Sequence, residues 1–173
     1  SLIASGNNAE AEKMAGTWLK EHPKDIAFRM YQGDRATGQK NFVQAVNHYQ
    51  AALDIQPNNA LILNNLAWAS GQTKSPKALD YAEKANQLAP NQPAFMDTLA
   101  MLLADKGETA KAVELLRKAL STAPQASAIQ LNLAKILIAS GKKDEARKEL
   151  DALAKMGDKF PSQAEVSQLL KSL

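Results

Sequence analysis

Asp97 and Asp105 are spaced to lie on one face of a helix. Paired carboxylates are the usual equipment for acid and base work on a glycosidic bond. Eight residues of helix separate this pair by about 12 Å along the axis. Carboxylates that share a glycosidic bond stand only about 5–9.5 Å apart. The two histidines, His22 and His48, are far apart in sequence, and surface placement is expected for both rather than a metal site. The chain has no cysteine, which removes disulfides, thiolate nucleophiles and cysteine-based metal sites. HExxH, GxSxG and Gly-rich phosphate-loop patterns are all missing. The expectation is a protein without catalytic, metal or cofactor-binding residues, not an enzyme.

Charge narrows the partners. The 173 residues carry 21 basic and 18 acidic side chains, for a net charge of +3. That excess is too small to predict a nucleic-acid surface. The densest charge run, GKKDEARKE at 141–149, mixes both signs and reads as a solvated helix face. The most apolar stretch, LNLAKILIA at 131–139, is too short to span a membrane and contains Lys135. The first ten residues, SLIASGNNAE, hold neither a signal-peptide pattern nor a lipid-attachment motif. A cysteine-free chain suits periplasm and cytosol equally.

The elements that position these residues follow from a repeated phrase. EAEKMAGTWLKEHP (10–23), QAVNHYQAALDIQP (44–57), KALDYAEKANQLAP (77–90) and KAVELLRKALSTAP (111–124) each place Ala second and Pro last. The prolines at 23, 57, 90 and 124 are 34, 33 and 34 residues apart, and a fifth copy, 145–158, ends in Asp158 instead. A fixed period of this length signals stacked supersecondary units. The units are 26–59, 60–92, 93–126 and 127–160. Each is expected to hold two antiparallel helices, A and B.

In the third unit the helices read PAFMDTLAMLLADKG and TAKAVELLRKALSTA, with Leu99, Leu102, Leu103, Val113, Leu116 and Leu120 at helical spacing. Gly107 is expected to stop helix A by taking the left-handed conformation. Pro124 ends helix B because it cannot donate to the helix ladder. The second unit is one residue short, and Pro76 is placed at the start of its helix B.

Small residues mark expected helix contacts. Gly33, Ala67, Ala100 and Ala134 are eighth in their units. Ala45, Ala78, Ala112 and Ala146 follow, then Ala52, Ala85, Ala119 and Leu153. Leu66, Leu99 and Leu133 are expected to fill the space beside them. Leucine at Ala112 should overpack its contact, at a cost of ~1–3 kcal/mol.

These features resemble the tetratricopeptide repeat family. The small eighth residue, the two recurring alanines, the aromatic or Leu between them (Tyr49, Tyr81 or Ala82, Leu116, Leu150) and the closing Pro all match. The family's Trp near the unit start is replaced by Arg29, Leu63, Met96 and Gln130. The resemblance implies an all-α, right-handed superhelix of about four and a half repeats with a C-terminal cap. Residues 1–25 would form a truncated repeat, the tail of a helix A and a complete helix B, with Trp18 in its core. Further repeats would precede it, and the unpaired first helix could join a second copy. Residues 161–173 would form the capping helix, with Val166, Leu169, Leu170 and Leu173 turned inward.

The resemblance also implies a concave groove lined by A helices. Its positions fall on Met30 and Asp34, then Asn64, Asn65, Trp68 and Gln72, then Asp97, Met101 and Asp105, then Leu131, Asn132 and Lys135. Asn64, Asn65 and Asn132 could bond an extended peptide backbone. Trp68 could anchor an apolar group or pack against the neighbouring A helix. The family's carboxylate clamp needs two Lys, an Arg and two Asn. Its places here hold Met30, Asp34, Asn65, Ala94 and Thr98, so a clamp for acidic tails is not expected.

NNLAWASGQTKSPKALDYAEKANQLAPNQPAFMDTLAMLLADKGETAKAVELLRKAL and GKKDEARKELDALAKMGDKFPSQAEVSQLLKSL are similar to the C-terminal part of tetratricopeptide lipoproteins of bacterial PEP-CTERM protein sorting and exopolysaccharide production. This implies a longer, lipid-anchored chain at the periplasmic face of the envelope. The leading expectation is a scaffold that holds a protein or peptide in its groove. The alternatives are an interaction domain of a larger enzyme, such as a glycosyltransferase, and direct polysaccharide binding.

Overall fold

A computed structural model describes residues 8–173. Among these there are ten α-helices and no strand. They are α1 (Asn8–Glu21), α2 (Ile26–Gly38), α3 (Phe42–Ile55), α4 (Ala60–Gln72), α5 (Ala78–Leu88), α6 (Pro93–Asp105), α7 (Thr109–Thr122), α8 (Ser127–Ala139), α9 (Lys143–Ala154) and α10 (Gln163–Ser172). The expected tail of a preceding helix A lies outside the described residues. Packing runs mainly between consecutive helices, and between like helices one unit apart, α4 with α6 and α6 with α8. Hairpins stacked in one direction give this pattern. The helices α2, α4, α6 and α8 are the A helices; α3, α5, α7 and α9 are the B helices.

Local chemistry sets the helix ends. Asp25 caps α2 by accepting from the Phe28 N–H at 2.9 Å. Asn59 caps α4 by accepting from the N–H groups of Leu61 and Ile62. Pro93 opens α6, where its missing N–H has no ladder partner to lose. All four A helices stop in the same way. Lys40, Lys74, Gly107 and Gly141 take positive φ, at 58°, 55°, 85° and 77°. The next residue's N–H then reaches back to a carbonyl five residues earlier: Asn41 to Ala36, Ser75 to Ser70, Glu108 to Leu103 and Lys142 to Leu137, at 2.8–2.9 Å. This closure satisfies carbonyls that the helix end would leave unpaired.

Helices α1, α3, α5 and α7 end two residues before Pro23, Pro57, Pro90 and Pro124. Where Asp158 replaces proline, the chain makes a short 3-10 turn, Gly157–Lys159, before Phe160 plunges into the core. Pro76 does not start α5, which begins at Ala78. It sits in a tight turn in which the Ala78 N–H donates to the Ser75 carbonyl at 3.2 Å.

Small residues hold the hairpins together. Ala45, Ala52, Ala67, Ala82, Ala85, Ala100, Ala112, Ala119, Ala134 and Ala146 are fully enclosed. Backbones approach closely at these points, while Leu63, Leu66, Leu116, Leu133, Leu137 and Leu150 fill the space around them. Leu99 is only half-buried. Each fully buried leucine contributes about 1.5–3 kcal/mol. Gly33 shows the tightest fit: a β-carbon there would stand 2.3 Å from Cε1 of Tyr49. The cap closes the far end, with Val166 buried and Leu169, Leu170 and Leu173 packed over Leu131, Leu150, Leu153 and Phe160.

Trp18 departs from expectation. Its counterparts Ala52, Ala85 and Ala119 are enclosed, but Trp18 is 45% exposed. An indole is too large for the gap that those alanines fill. It lies instead over the α1–α2 turn, 4.0 Å from the His22 ring and edge-on to Phe28. Its N–H donates to Asp25 at 2.9 Å. From Ala9 onward no residue of α1 is fully buried. A cavity of about 180 Å³ opens between α1, α2 and α3, bordered by Gln32, Arg35 and His48. His48 is therefore half-buried rather than on the outer surface. Burial, and secondarily Arg29, lower its pKa.

Candidate functional site

The residues named for the groove separate into three sets. The first forms polar ties between neighbouring A helices. Asn65 on α4 donates from Nδ2 to Oδ1 of Asp34 on α2 at 3.4 Å. The same Asp34 oxygen accepts from the Tyr49 hydroxyl at 2.7 Å. Asn64 donates from Nδ2 to Oδ1 of Asn65 at 3.4 Å. Two units along, Asn132 on α8 donates to both carboxylate oxygens of Asp97 on α6, at 3.0 and 3.1 Å. Lys135 pairs with Glu165 of the cap. Asn65 and Asn132 thus join repeat to repeat, an alternative to bonding a ligand backbone.

Electrostatics follow from these contacts. Burial pushes the Asp97 carboxyl above its ordinary pKa, opposed by the Asn132 bond and the Lys135 charge. The Tyr49 hydroxyl is pushed up to about 12, chiefly by burial and also by Asp34, which favours the neutral hydroxyl as donor.

The second set provides apolar surface. Trp68 is 38% exposed and meets Phe42 edge-on at 5.5 Å between ring centres. Its aromatic contact is with the first residue of α3. Met30 and Met101 are half-buried against the core. Leu131 does not line the groove: it is 5% exposed and packs with Leu150, Leu153 and Val166. The cap packs chiefly against α9, and its Val166 shares one apolar cluster with Leu131.

The third set lies at the turn edge. Gln72 and Asp105 border a hollow of about 630 Å³ between the 73–77 turn and the end of α6, floored by Leu79 and Leu102. One further residue belongs with the groove set. Leu61 is 54% exposed and stands one turn before Asn65 on the same face. Tyr31 holds the sixth unit position, from which Asn65 and Asn132 reach back to the preceding A helix, and its ring stacks on Phe28. That register was readable from the sequence. Among the described residues no group of three or more His, Asp or Glu is placed to hold a metal.

Two family models, both described as tetratricopeptide repeat, match residues 1–60 and 103–173. The chain belongs to the tetratricopeptide repeat family. A curated relative, TPR repeat-containing protein PA4667 of Pseudomonas aeruginosa, is 28% identical over 129 residues, which are 70% of this chain and 21% of that protein. The chain therefore spans about a fifth of that relative's length. Among solved structures, the thermophilic TPR protein TTC0263 of Thermus thermophilus superposes with a TM-score of 0.78 at 19% identity, over 98% of this chain and 93% of that one. PilW, titled a widely conserved type IV pilus biogenesis factor, gives 0.76 at 19%, over 99% and 84%. YrrB, titled a TPR protein with an unusual peptide-binding site, gives 0.68 at 16%, over 96% and 87%. These likenesses establish the fold, an all-α tetratricopeptide superhelix, and no membrane-spanning helix is found among the described residues.

Proposed function

We propose that the inner face of the A helices holds a protein or peptide segment and performs no covalent chemistry. The observation that carries this reading is the strip along one face of α4, where Leu61 and Trp68 are exposed and Asn65 lies half-buried between them. A chain that leaves Trp68 and Leu61 open on a rigid, capped scaffold has a ready anchor for a partner's apolar groups. The aspartates beside it serve as hydrogen-bond acceptors for Tyr49, Asn65 and Asn132. YrrB, which shares this fold, is described as having a peptide-binding site.

The finer role proposed is support of envelope protein sorting or exopolysaccharide export, as part of a longer lipoprotein at the periplasmic face. It rests on the sequence resemblance of residues 26–173, above all the FPSQAEVSQLLKSL ending. The test is a pull-down from envelope extracts of the native organism with wild type and a Trp68→Ala/Asn65→Ala double mutant, each first shown by circular dichroism to be folded. The groove reading predicts that the double mutant loses the partners. Equal recovery would reject it.

A further inference from the structure

The first full unit breaks the repeat pattern at two neighbouring positions of its A helix. Gln32 stands where the later units have Leu66, Leu99 and Leu133, and Arg35 stands where they have Ala69, Leu102 and Ile136. Leu66, Leu133, Ala69 and Ile136 are buried in the apolar core. Gln32 is buried as well, at 7% exposure, so an amide takes the place of a leucine inside the stack. Both Gln32 and Arg35 border the cavity of about 180 Å³ between α1, α2 and α3. Two breaks of a local rule that open on one cavity are the kind of departure a functional site produces.

The Arg35 guanidinium carries the argument. Its Nε and Nη2 are enclosed and have no hydrogen-bond partner among the described residues. These two nitrogens form one edge of the planar fork, the edge that meets both oxygens of a carboxylate side by side. Arginine keeps its charge, and buried donors without a partner are costly. The side chain is long enough to turn that edge onto a group in the cavity. Gln32, Gln44 and His48 add polar groups around the space, and Leu19 gives it an apolar wall. Glu12 is exposed and borders the cavity without bonding to the fork. Burial lowers the His48 pKa, so the imidazole is neutral at neutral pH. One cation and one exposed carboxylate therefore face the space, a balance that suits a monoanion better than a phosphate dianion. The volume matches about six waters of the liquid, room for a small organic acid but not for a peptide chain.

We infer that this cavity binds a small monocarboxylate, with its carboxylate on the Arg35 fork and its short hydrocarbon part against Leu19. The site shares no residue with the groove and does not depend on the groove reading.

The test is a titration of the 15N-labelled protein with sodium propionate, sodium phosphate or sodium chloride at constant ionic strength. The amide signals of Gly16 and Ala36, at the cavity wall, report binding. Arg35→Leu/Gln32→Leu restores the apolar pattern of the later units, which keeps the variant folded. Propionate should shift both signals saturably in wild type, and the leucine variant should bind it at least about 10-fold more weakly, as loss of two charge-assisted hydrogen bonds requires. Trp68→Ala/Asn65→Ala should bind propionate like wild type. Absence of a saturable shift, which would mean that water alone fills the cavity, would overturn the inference. Equal affinity in the leucine variant, or tighter binding of phosphate than of propionate, would overturn it too.

Discussion

Tyr49 and Gly33 form a matched pair, and exchanging them tests how the hairpins fit. Alanine at Gly33 would bring a β-carbon to 2.3 Å from Cε1, 2.6 Å from Cδ1 and 2.8 Å from Cζ of Tyr49. Carbon atoms in good contact stand about 3.5–4.0 Å apart, so the ring must retreat by more than about 1 Å. It has little room, being 2% exposed and held at its hydroxyl by Asp34 at 2.7 Å. Overpacking costs ~1–3 kcal/mol, and losing a hydrogen bond to a charged group adds ~1.5–3 kcal/mol. Better helix propensity returns ~1 kcal/mol. Gly33→Ala should therefore destabilise by ~1.5–5 kcal/mol net.

The third and fourth units show the remedy, pairing Ala100 with Leu116 and Ala134 with Leu150, all enclosed. Gly33→Ala/Tyr49→Leu should recover stability, with a coupling of at least ~1 kcal/mol in the double-mutant cycle. Urea unfolding followed by circular dichroism measures it. Additive effects, or a Gly33→Ala protein more stable than wild type, would refute the packing argument.

Three other outcomes are expected. Tyr49 has a folded pKa of about 12 against an ordinary value of 10.0. Its neutral form thus supports the fold fully below pH 10, and that support is lost as pH rises toward 12. Tyr49→Phe should show a shallower fall in melting temperature than wild type over that window, and parallel curves would count against it. Asn132→Ala should cost ~1–3 kcal/mol at neutral pH by leaving the half-buried Asp97 carboxylate without its donor. The loss should shrink in acid once Asp97 is protonated, as urea titrations at two pH values would show. Lys74→Gly should stabilise by about 0.5–1 kcal/mol, since a left-handed lysine costs ~1–2 kcal/mol and glycine's extra chain entropy returns only part. A lower melting temperature would contradict this.

Much of the fold was legible because its punctuation is chemical. Proline at 57, 90 and 124 cannot extend a helix, and glycine at 107 and 141 accepts the left-handed cap, so helix ends could be counted off. Lys40 and Lys74 take that same conformation without advertising it. There the backbone bonds of the closing turn, not the residue's preference, impose the geometry. Trp18 was misread because matching it to Ala52 assumed that every repeat stacks at the same spacing, whereas α1 stands off from α2.

The groove was legible as a register but not as a set of contacts. The ties from Asn65 to Asp34 and from Asn132 to Asp97 join residues 31 and 35 positions apart. Only the stacking of α2 with α4 and of α6 with α8 brings them together. Leu131 turned inward for a similar reason, because α9 and the cap packed on it supply apolar partners.

The central claim is that a partner seats on the A helices and not on the B helices. Photo-crosslinking with a peptide selected on the protein tests this most directly. The photoreactive residue is placed in turn at Leu61 and Asp105 on the A helices, and at Val43 and Leu88, which are exposed on the B helices at 65% and 44%. Capture of the peptide from Leu61 and Asp105, with none from Val43 or Leu88, is the predicted result. Capture from Val43 and Leu88 while Leu61 and Asp105 stay silent would contradict it.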